Sequence, residues 1–206
     1  LCLTIAAGIV SPGRAGAQSA DTLRPDVTKK AVMGQNATCT ASSSNHTKVN
    51  EAVRDDDATY LEADVGEACV CAMGADDTTK HTLGNFSGSG TIDSVRIVAS
   101  VRSATGSNPH KDSIKLVMQE QSSYLSSGFF GLSGSYAEYK FTSATKPTGG
   151  SWTASAVDSL VLGVRNKLQS LALGCAEVRI TQEYAVVYYF PSSGGGSPRR
   201  NRLLRK

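Results

Sequence analysis

The sequence predicts an all-β fold, a two-sheet sandwich of jelly-roll type carrying one short helix near Thr153–Leu160. Three observations lead there. Charged residues make up only 19% of the 206-residue chain while Ser, Thr, Gly and Ala abound, a composition suited to short strands and tight turns rather than long amphipathic helices. Apolar residues recur with a period of two in several stretches, as on a strand with one buried face. Turn signals separate about eight to ten such stretches at roughly regular spacing, as in a sandwich.

Taken in order, residues 1–17 read as the back half of a secretory signal peptide. The apolar run Leu1 to Val10 is followed by a Pro12-Gly13 break and an Ala15-x-Ala17 site, with cleavage expected after Ala17. That run is too short to span a bilayer, and no later stretch reaches about 20 apolar residues, so no transmembrane span is expected and the mature protein is placed outside the cell. Residues 18–46 read as a leader, extended and flexible to about Asp26, followed by an edge strand over Thr28–Met33. The Ser/Thr/Asn-rich loop from Gly34 to Asn45 holds two glycosylation sequons, at Asn36 and Asn45, and Asn85 heads a third. Such triplets mark surface loops whether or not sugars are attached.

The sandwich proper is expected over 47–190. From Thr47 to Asp64 two short β segments flank an acidic turn, Asp55, Asp56 and Asp57. Three adjacent carboxylates offer the hard oxygens that Ca²⁺ takes at about 2.4 Å, and they equally suit a solvated turn whose Asp side chains cap backbone NH groups. Calcium is therefore the one cofactor in view. Val95, Ile97, Ala99 and Val101 alternate with Ser94, Arg96, Val98, Ser100 and Arg102, as do Ile114, Leu116 and Met118 with Lys115, Val117 and Gln119. Residues 122–135 are small and Gly-rich around Phe129 and Phe130, and Tyr136 to Thr142 is a further strand. Pro147, Gly149 and Gly150 mark a turn before Trp152, the one tryptophan. Thr153 is the expected N-cap of a single helical turn ending near Leu160, after which Leu162 and Val164 resume strand spacing. Trp152 is expected to plug one end of the sandwich, with Val157 and Leu160 pinning the helix beneath it. Cys175 to Phe190 is a long central strand, with Val178, Ile180, Tyr184, Val186 and Tyr188 on one face. Residues 191–206 are a Gly/Ser linker and a disordered basic tail.

Cys2 leaves with the signal peptide. Cys39, Cys69, Cys71 and Cys175 remain, an even set suited to two disulfides in an oxidising compartment. A Cys69–Cys71 pair would be strained, so Cys39 is expected to bond one of these two and Cys175 the other; a zinc site is the competing reading of Cys-x-Cys. Charge is uneven. Of 21 basic residues, five lie in the tail and one is Arg14, leaving 15 against 18 acidic residues in the body, a net of −3. The tail reads as solubilising disorder, a contact for acidic partners, or a nucleic-acid arm. Export argues against the last, and no nucleic acid is expected as partner.

Hydrolytic chemistry is missing from the pattern. His46, His81 and His110 fall in or beside polar stretches and read as solvated imidazoles. No Gly-x-Ser-x-Gly elbow or His-Glu-x-x-His helix occurs. Glu62-Ala63-Asp64 supplies two of the carboxylates a jelly-roll glucanase would need on one strand face, about 5 Å apart, but residue 66 is glycine. Tyr124, Phe129, Phe130 and Tyr136 are candidates for an exposed stacking surface for sugars, or equally for core filling.

Asp-Asp-Asp-Ala-Thr-Tyr-Leu at 55–61, Gly-Thr-Ile-Asp-Ser-Val-Arg-Ile at 90–97, Pro-Thr-Gly-Gly-Ser-Trp-Thr at 147–153 and Val-Arg-Ile-Thr-Gln-Glu-Tyr at 178–184 follow in an order that resembles uncharacterised jelly-roll modules. Such modules occur in phage virion-associated and secreted prokaryotic proteins. The resemblance covers about 47–189 and implies a structural or adhesive role without catalytic residues to carry over. The expectation is a secreted, non-enzymatic subunit of a surface assembly or filament that self-associates as a homo-oligomer or polymer. A carbohydrate-binding adhesive module and a virion decoration protein are the alternatives.

Overall fold

The computed structural model describes residues 17–30, 34–35, 45–56, 58–65, 78–104, 112–167 and 176–192. Cys39, Cys69, Cys71, Cys175, Asn36, Asp57, His110, the run before Ala17 and the tail beyond Ser192 lie outside them. Among these described residues, twelve strands form two six-stranded antiparallel sheets. They are β1 (Ser19–Leu23), β2 (Pro25–Lys30), β3 (Gly34–Gln35), β4 (Leu61–Val65), β5 (Thr78–Leu83), β6 (Gly90–Ser103), β7 (Ser113–Glu120), β8 (Ser123–Ser126), β9 (Phe130–Gly131), β10 (Ala137–Ser143), β11 (Val161–Lys167) and β12 (Ala176–Pro191). The first sheet runs β10-β6-β12-β4-β3 with β1 also on β12. The second runs β2-β5-β11-β7-β8 with β9 also on β7. From β4 onward the chain steps between the sheets at nearly every connection. The result is β4-β12-β6-β10 facing β5-β11-β7-β8, the strand order of a jelly roll, as the sequence predicts.

The alternating positions meet between the sheets. Val95, Ile97, Ala99 and Val101 of β6 oppose Ile114, Leu116 and Met118 of β7 and Leu162 and Val164 of β11, all buried. Each large aliphatic side chain removed from water contributes roughly 1.5–3 kcal/mol. Trp152, Val157 and Leu160 join the same core. Helix α1 (Ala154–Asp158) starts where the sequence places it: Thr153 is extended (φ −127, ψ 159) and its Oγ1 accepts from the Ala156 NH at 3.1 Å. Before it, Gly149 and Gly150 take φ of +90 and +78, the left-handed region that a turn after Pro147 requires. Glu120 steadies this turn by accepting from the Thr148 NH and hydroxyl. Burial pushes the Glu120 carboxyl up, but those two bonds and the Lys146 ammonium outweigh it and hold it below its usual range.

Four expectations are corrected. The leader is part of the sandwich: β1 pairs with β12 from Ser19↔Tyr189 to Leu23↔Ala185, and β2 pairs with β5. The physical reason is the length of β12, since β4 covers only Ala176 to Ile180 and would leave the rest of that edge unpaired. Only the second of the two segments around the acidic turn is a strand; 45–48 form a single 3-10 turn. His81 lies in β5 with no exposure, since the alternation there turns Thr79, His81 and Leu83 inward. In β12 the register shifts between Ile180 and Gln182 against β6. One extra residue reverses the alternation, so Glu183, Ala185 and Val187 continue the buried face of Val178 and Ile180, and Tyr184, Val186 and Tyr188 turn outward.

Candidate functional site

The outer face of the second sheet is laid out by strand register. In β11, Gly163 lies between Lys80 of β5 and Val117 of β7; Arg165 lies between Thr78 and Lys115, and Val161 between Thr82 and Gln119. The rows extend to β2 through Lys30 beside Lys80 and Val27 beside Thr82. They extend to β8 through Ser126 beside Val117 and Tyr124 beside Gln119. Because His81, Leu162 and Met118 on the same strands point into the core, period two leaves these residues facing away from it. Gly163 keeps the centre of the floor low: a Cβ there would stand 3.0 Å from the Thr79 carbonyl oxygen and 3.1 Å from Thr78. The side chains around it enclose an open depression of about 130 Å³, walled by Lys80, Lys115 and Arg165 and closed at the β8 end by Gln119 and Tyr124.

Tyr124 is 67% exposed. Phe129, 46% exposed, lies against the same face, with the ammonium groups of Lys115 and Lys167 at 5.3 and 5.6 Å from its ring centre. Lys80 donates to the Gln119 amide oxygen at 2.7 Å. These partners of Lys80, Lys115 and Lys167 are uncharged. Among the described residues that wall the depression there is no carboxylate; Asp26, at the β2 edge, is engaged by the Thr82 hydroxyl at 2.6 Å.

The outer face of the first sheet differs. There Arg24 and Arg96 stand over the rings of Tyr184 and Tyr188 at 5.5 and 5.0 Å. Lys140 pairs with Glu138 at 2.8 Å, Tyr184 donates to Glu138, and Arg179 meets both Glu62 and Glu177. Acids and bases are interleaved, and that face satisfies itself.

No family model matches the chain, and no curated protein sequence matches it. Among solved structures the chain is similar to one titled "BiXyn10A CBM1 APO", at 12% identity and a TM-score of 0.36 over 85% of this chain and 97% of that one. A likeness of that size assigns no function.

The sequence-predicted site residues separate. Of the four aromatic candidates, Tyr124 and Phe129 share the second sheet's outer face. Phe130 turns inward and packs on Tyr139, rings 5.4 Å apart. Tyr136 sits on the other side of the molecule between Arg54 and Arg102, whose guanidinium carbons lie 5.9 and 5.3 Å from its ring. The single four-ring surface is therefore corrected to one pair, because Phe129 and Phe130 are adjacent on an extended chain and face opposite ways. Asp55 caps its own turn, accepting from the Thr59 NH at 3.2 Å, the Thr59 hydroxyl at 3.0 Å and the Thr181 hydroxyl at 3.3 Å. Asp56, at φ +55, pairs instead with Arg54 at 2.5 Å. The two carboxylates are engaged separately, and among the described residues no group of three or more His, Cys, Asp or Glu could hold a metal. Asn45, the first residue of the 3-10 turn, is fully buried and leaves no room for a glycan, which corrects its reading as a surface acceptor. Asn85 is exposed in the β5–β6 loop.

His81 and Glu183 face each other across the two sheets, Nε2 to Oε2 at 3.9 Å, both without exposure. Desolvation pushes the Glu183 carboxyl up to about 8, and desolvation, then the nearby His46, takes His81 down to about 4. A neutral acid and a neutral imidazole with no path to solvent do not form a hydrolytic centre. The sequence reading passed over Lys80, Gly163 and Arg165. The outward parity of Lys115 and Gln119 in β7 is legible in their alternation; that β5 and β11 lie alongside is not.

Proposed function

We propose that the chain is a non-catalytic β-sandwich module that works outside the cell and binds carbohydrate on the outer face of β2-β5-β11-β7-β8. The observation that carries this reading is Tyr124, a ring two-thirds exposed beside a depression walled by Lys80, Lys115 and Gln119. A sugar ring presents an apolar C–H face and a rim of hydroxyls. Recognising it takes one aromatic plate and a few fixed hydrogen-bonding groups, here Tyr124 with Gln119, Lys80 and Ser126.

The test is retention of the protein in gels cast with soluble polysaccharides. Tyr124→Ala is expected to weaken binding by about tenfold or more, equivalent to about 1.4 kcal/mol, without moving the urea midpoint. Equal retention of both proteins, or no retention on any polysaccharide, defeats the reading.

A second reading, the subunit of an extracellular assembly, is supported by β10. This strand forms an edge of the first sheet, and its seven residues offer a row of backbone groups to a second copy. Glu138 and Lys140 on that edge oppose casual pairing. Sedimentation velocity at rising concentration decides it: a concentration-dependent shift supports assembly, and a constant monomer value opposes it.

A further inference from the structure

We infer that the ligand of this face is an acidic polysaccharide, one that carries carboxylate or sulfate groups along its chain. The inference rests on the carbohydrate reading above and adds the ligand's charge. Three cations of three neighbouring strands, Lys80, Arg165 and Lys115, wall the depression, and Lys30 and Lys167 extend the set along β2 and β11. Arg165 and Lys115 are direct cross-strand neighbours, and like charges so placed repel at the roughly 5 Å that separates paired strands. Among the described residues of this sheet the one carboxylate beside that face is Asp26, held by Thr82, whereas the first sheet's outer face interleaves its bases with Glu138, Glu62 and Glu177.

The arrangement divides the labour. Tyr124 with Gln119 takes the face and hydroxyls of one sugar. Lys80 stands one row away, beside the gap that Gly163 leaves, and Lys115 two rows away, beside Arg165, as point charges suited to a carboxylate or sulfate. A single-stranded nucleic acid fits less well. It stacks successive bases on successive rings, whereas the second exposed ring, Phe129, already carries Lys115 and Lys167.

The experiment measures binding of the full chain to polygalacturonate (carboxylate), dextran sulfate (sulfate), unsubstituted dextran and arabinan (neutral), and single-stranded DNA. Each is run at about 0.02 M and about 0.5 M NaCl, a change that shortens the screening length severalfold. Lys80→Gln, Lys115→Gln and Tyr124→Ala are run alongside, with urea midpoints to confirm folding. Expected is binding to at least one acidic polysaccharide that falls about tenfold or more in the higher salt and by at least about threefold for each lysine variant. Tyr124→Ala should weaken it too, and the neutral glycans and DNA should bind more weakly. Which acidic polymer is retained tells carboxylate from sulfate. Salt-independent binding to a neutral glycan with unchanged lysine variants overturns the acidic ligand and leaves the carbohydrate reading standing. Binding to DNA as tight as to either polysaccharide overturns the inference. Binding to none of the polymers overturns both readings.

Discussion

Replacing Glu183 with glutamine should flatten the alkaline side of the stability profile and steepen the acid side. The carboxyl sits without exposure opposite His81, and none of the four polar side-chain atoms of the pair has a hydrogen-bond partner. Burial raises the Glu183 pKa from 4.5 to about 8. Its contribution is therefore present in full below 4.5 and is lost progressively as pH rises towards 8. At about 1.4 kcal/mol per unit, about 3 kcal/mol has gone by about pH 7 and about 5 kcal/mol by about pH 8. His81 has the opposite sign. Its pKa falls from 6.5 to about 4, so its contribution is intact above 6.5 and about 3 kcal/mol is lost as pH drops towards 4. Between 4.5 and 6.5 the two slopes oppose each other and the native protein should show a plateau. Glutamine cannot ionise. The variant should hold its stability from about pH 6.5 to about pH 8 and decline below about 6.5, where the compensating gain from Glu183 is gone. The buried amide adds a pH-independent cost of about 1–3 kcal/mol, so the slopes rather than the offsets are compared. Urea unfolding, extrapolated linearly at closely spaced pH values, measures them. A constant difference between variant and native protein from about pH 5 to about pH 8 refutes the raised carboxyl.

Three substitutions probe the frame. Gly90→Ala should cost at least about 2 kcal/mol, because φ is +135 and a Cβ would lie 2.0 Å from the Phe190 carbonyl oxygen; an unchanged melting temperature would contradict that geometry. Trp152→Ala should cost about 3–5 kcal/mol in urea, since it empties a core site and strips the Ser143 carbonyl of its indole donor at 3.0 Å; a loss under about 1 kcal/mol would mean that the ring is peripheral. Thr153→Ala should cost about 1 kcal/mol, and a variant as stable as the native chain would show that the Oγ1 bond to Ala156 is idle.

Much of the fold is legible because one face of each strand is apolar. Val95 to Val101 and Ile114 to Met118 give their parity directly, and the Pro147-to-Leu160 turn and helix follow from local rules for Pro, Gly and an N-cap Thr. The misreadings share a cause, which is that partners distant in sequence decide the outcome. Ser19–Leu23 looks like a leader because it has little apolar content; it is a strand because β12 has an uncovered edge. His81 looks solvated among Thr and Lys, yet its position in β5 points it at Glu183. Asn45 carries a sequon and is nonetheless buried. The candidate site is harder still to read. Lys80, Lys115 and Arg165 are separated by up to 85 positions in the chain, and only the pairing of β5, β11 and β7 makes them neighbours.

The bulge in β12 connects these observations. Had the alternation set by Val178 and Ile180 continued unbroken, Tyr184 and Tyr188 would fill the core and Glu183, Ala185 and Val187 would face water. The extra residue at Thr181, held by its hydroxyl to the Thr59 carbonyl at 3.1 Å, reverses that. It puts the tyrosines outside, where Arg24 and Arg96 stack on them and Glu138 accepts from Tyr184, and so completes the first sheet's outer face from within the chain. The same step carries Glu183 inward to His81, where desolvation of its carboxyl opposes folding at neutral pH. One face is thereby closed by its own residues. The other keeps Lys80, Lys115 and Lys167 against uncharged partners beside an exposed Tyr124, and it is that difference, more than exposure by itself, that directs an anionic ligand to the second sheet.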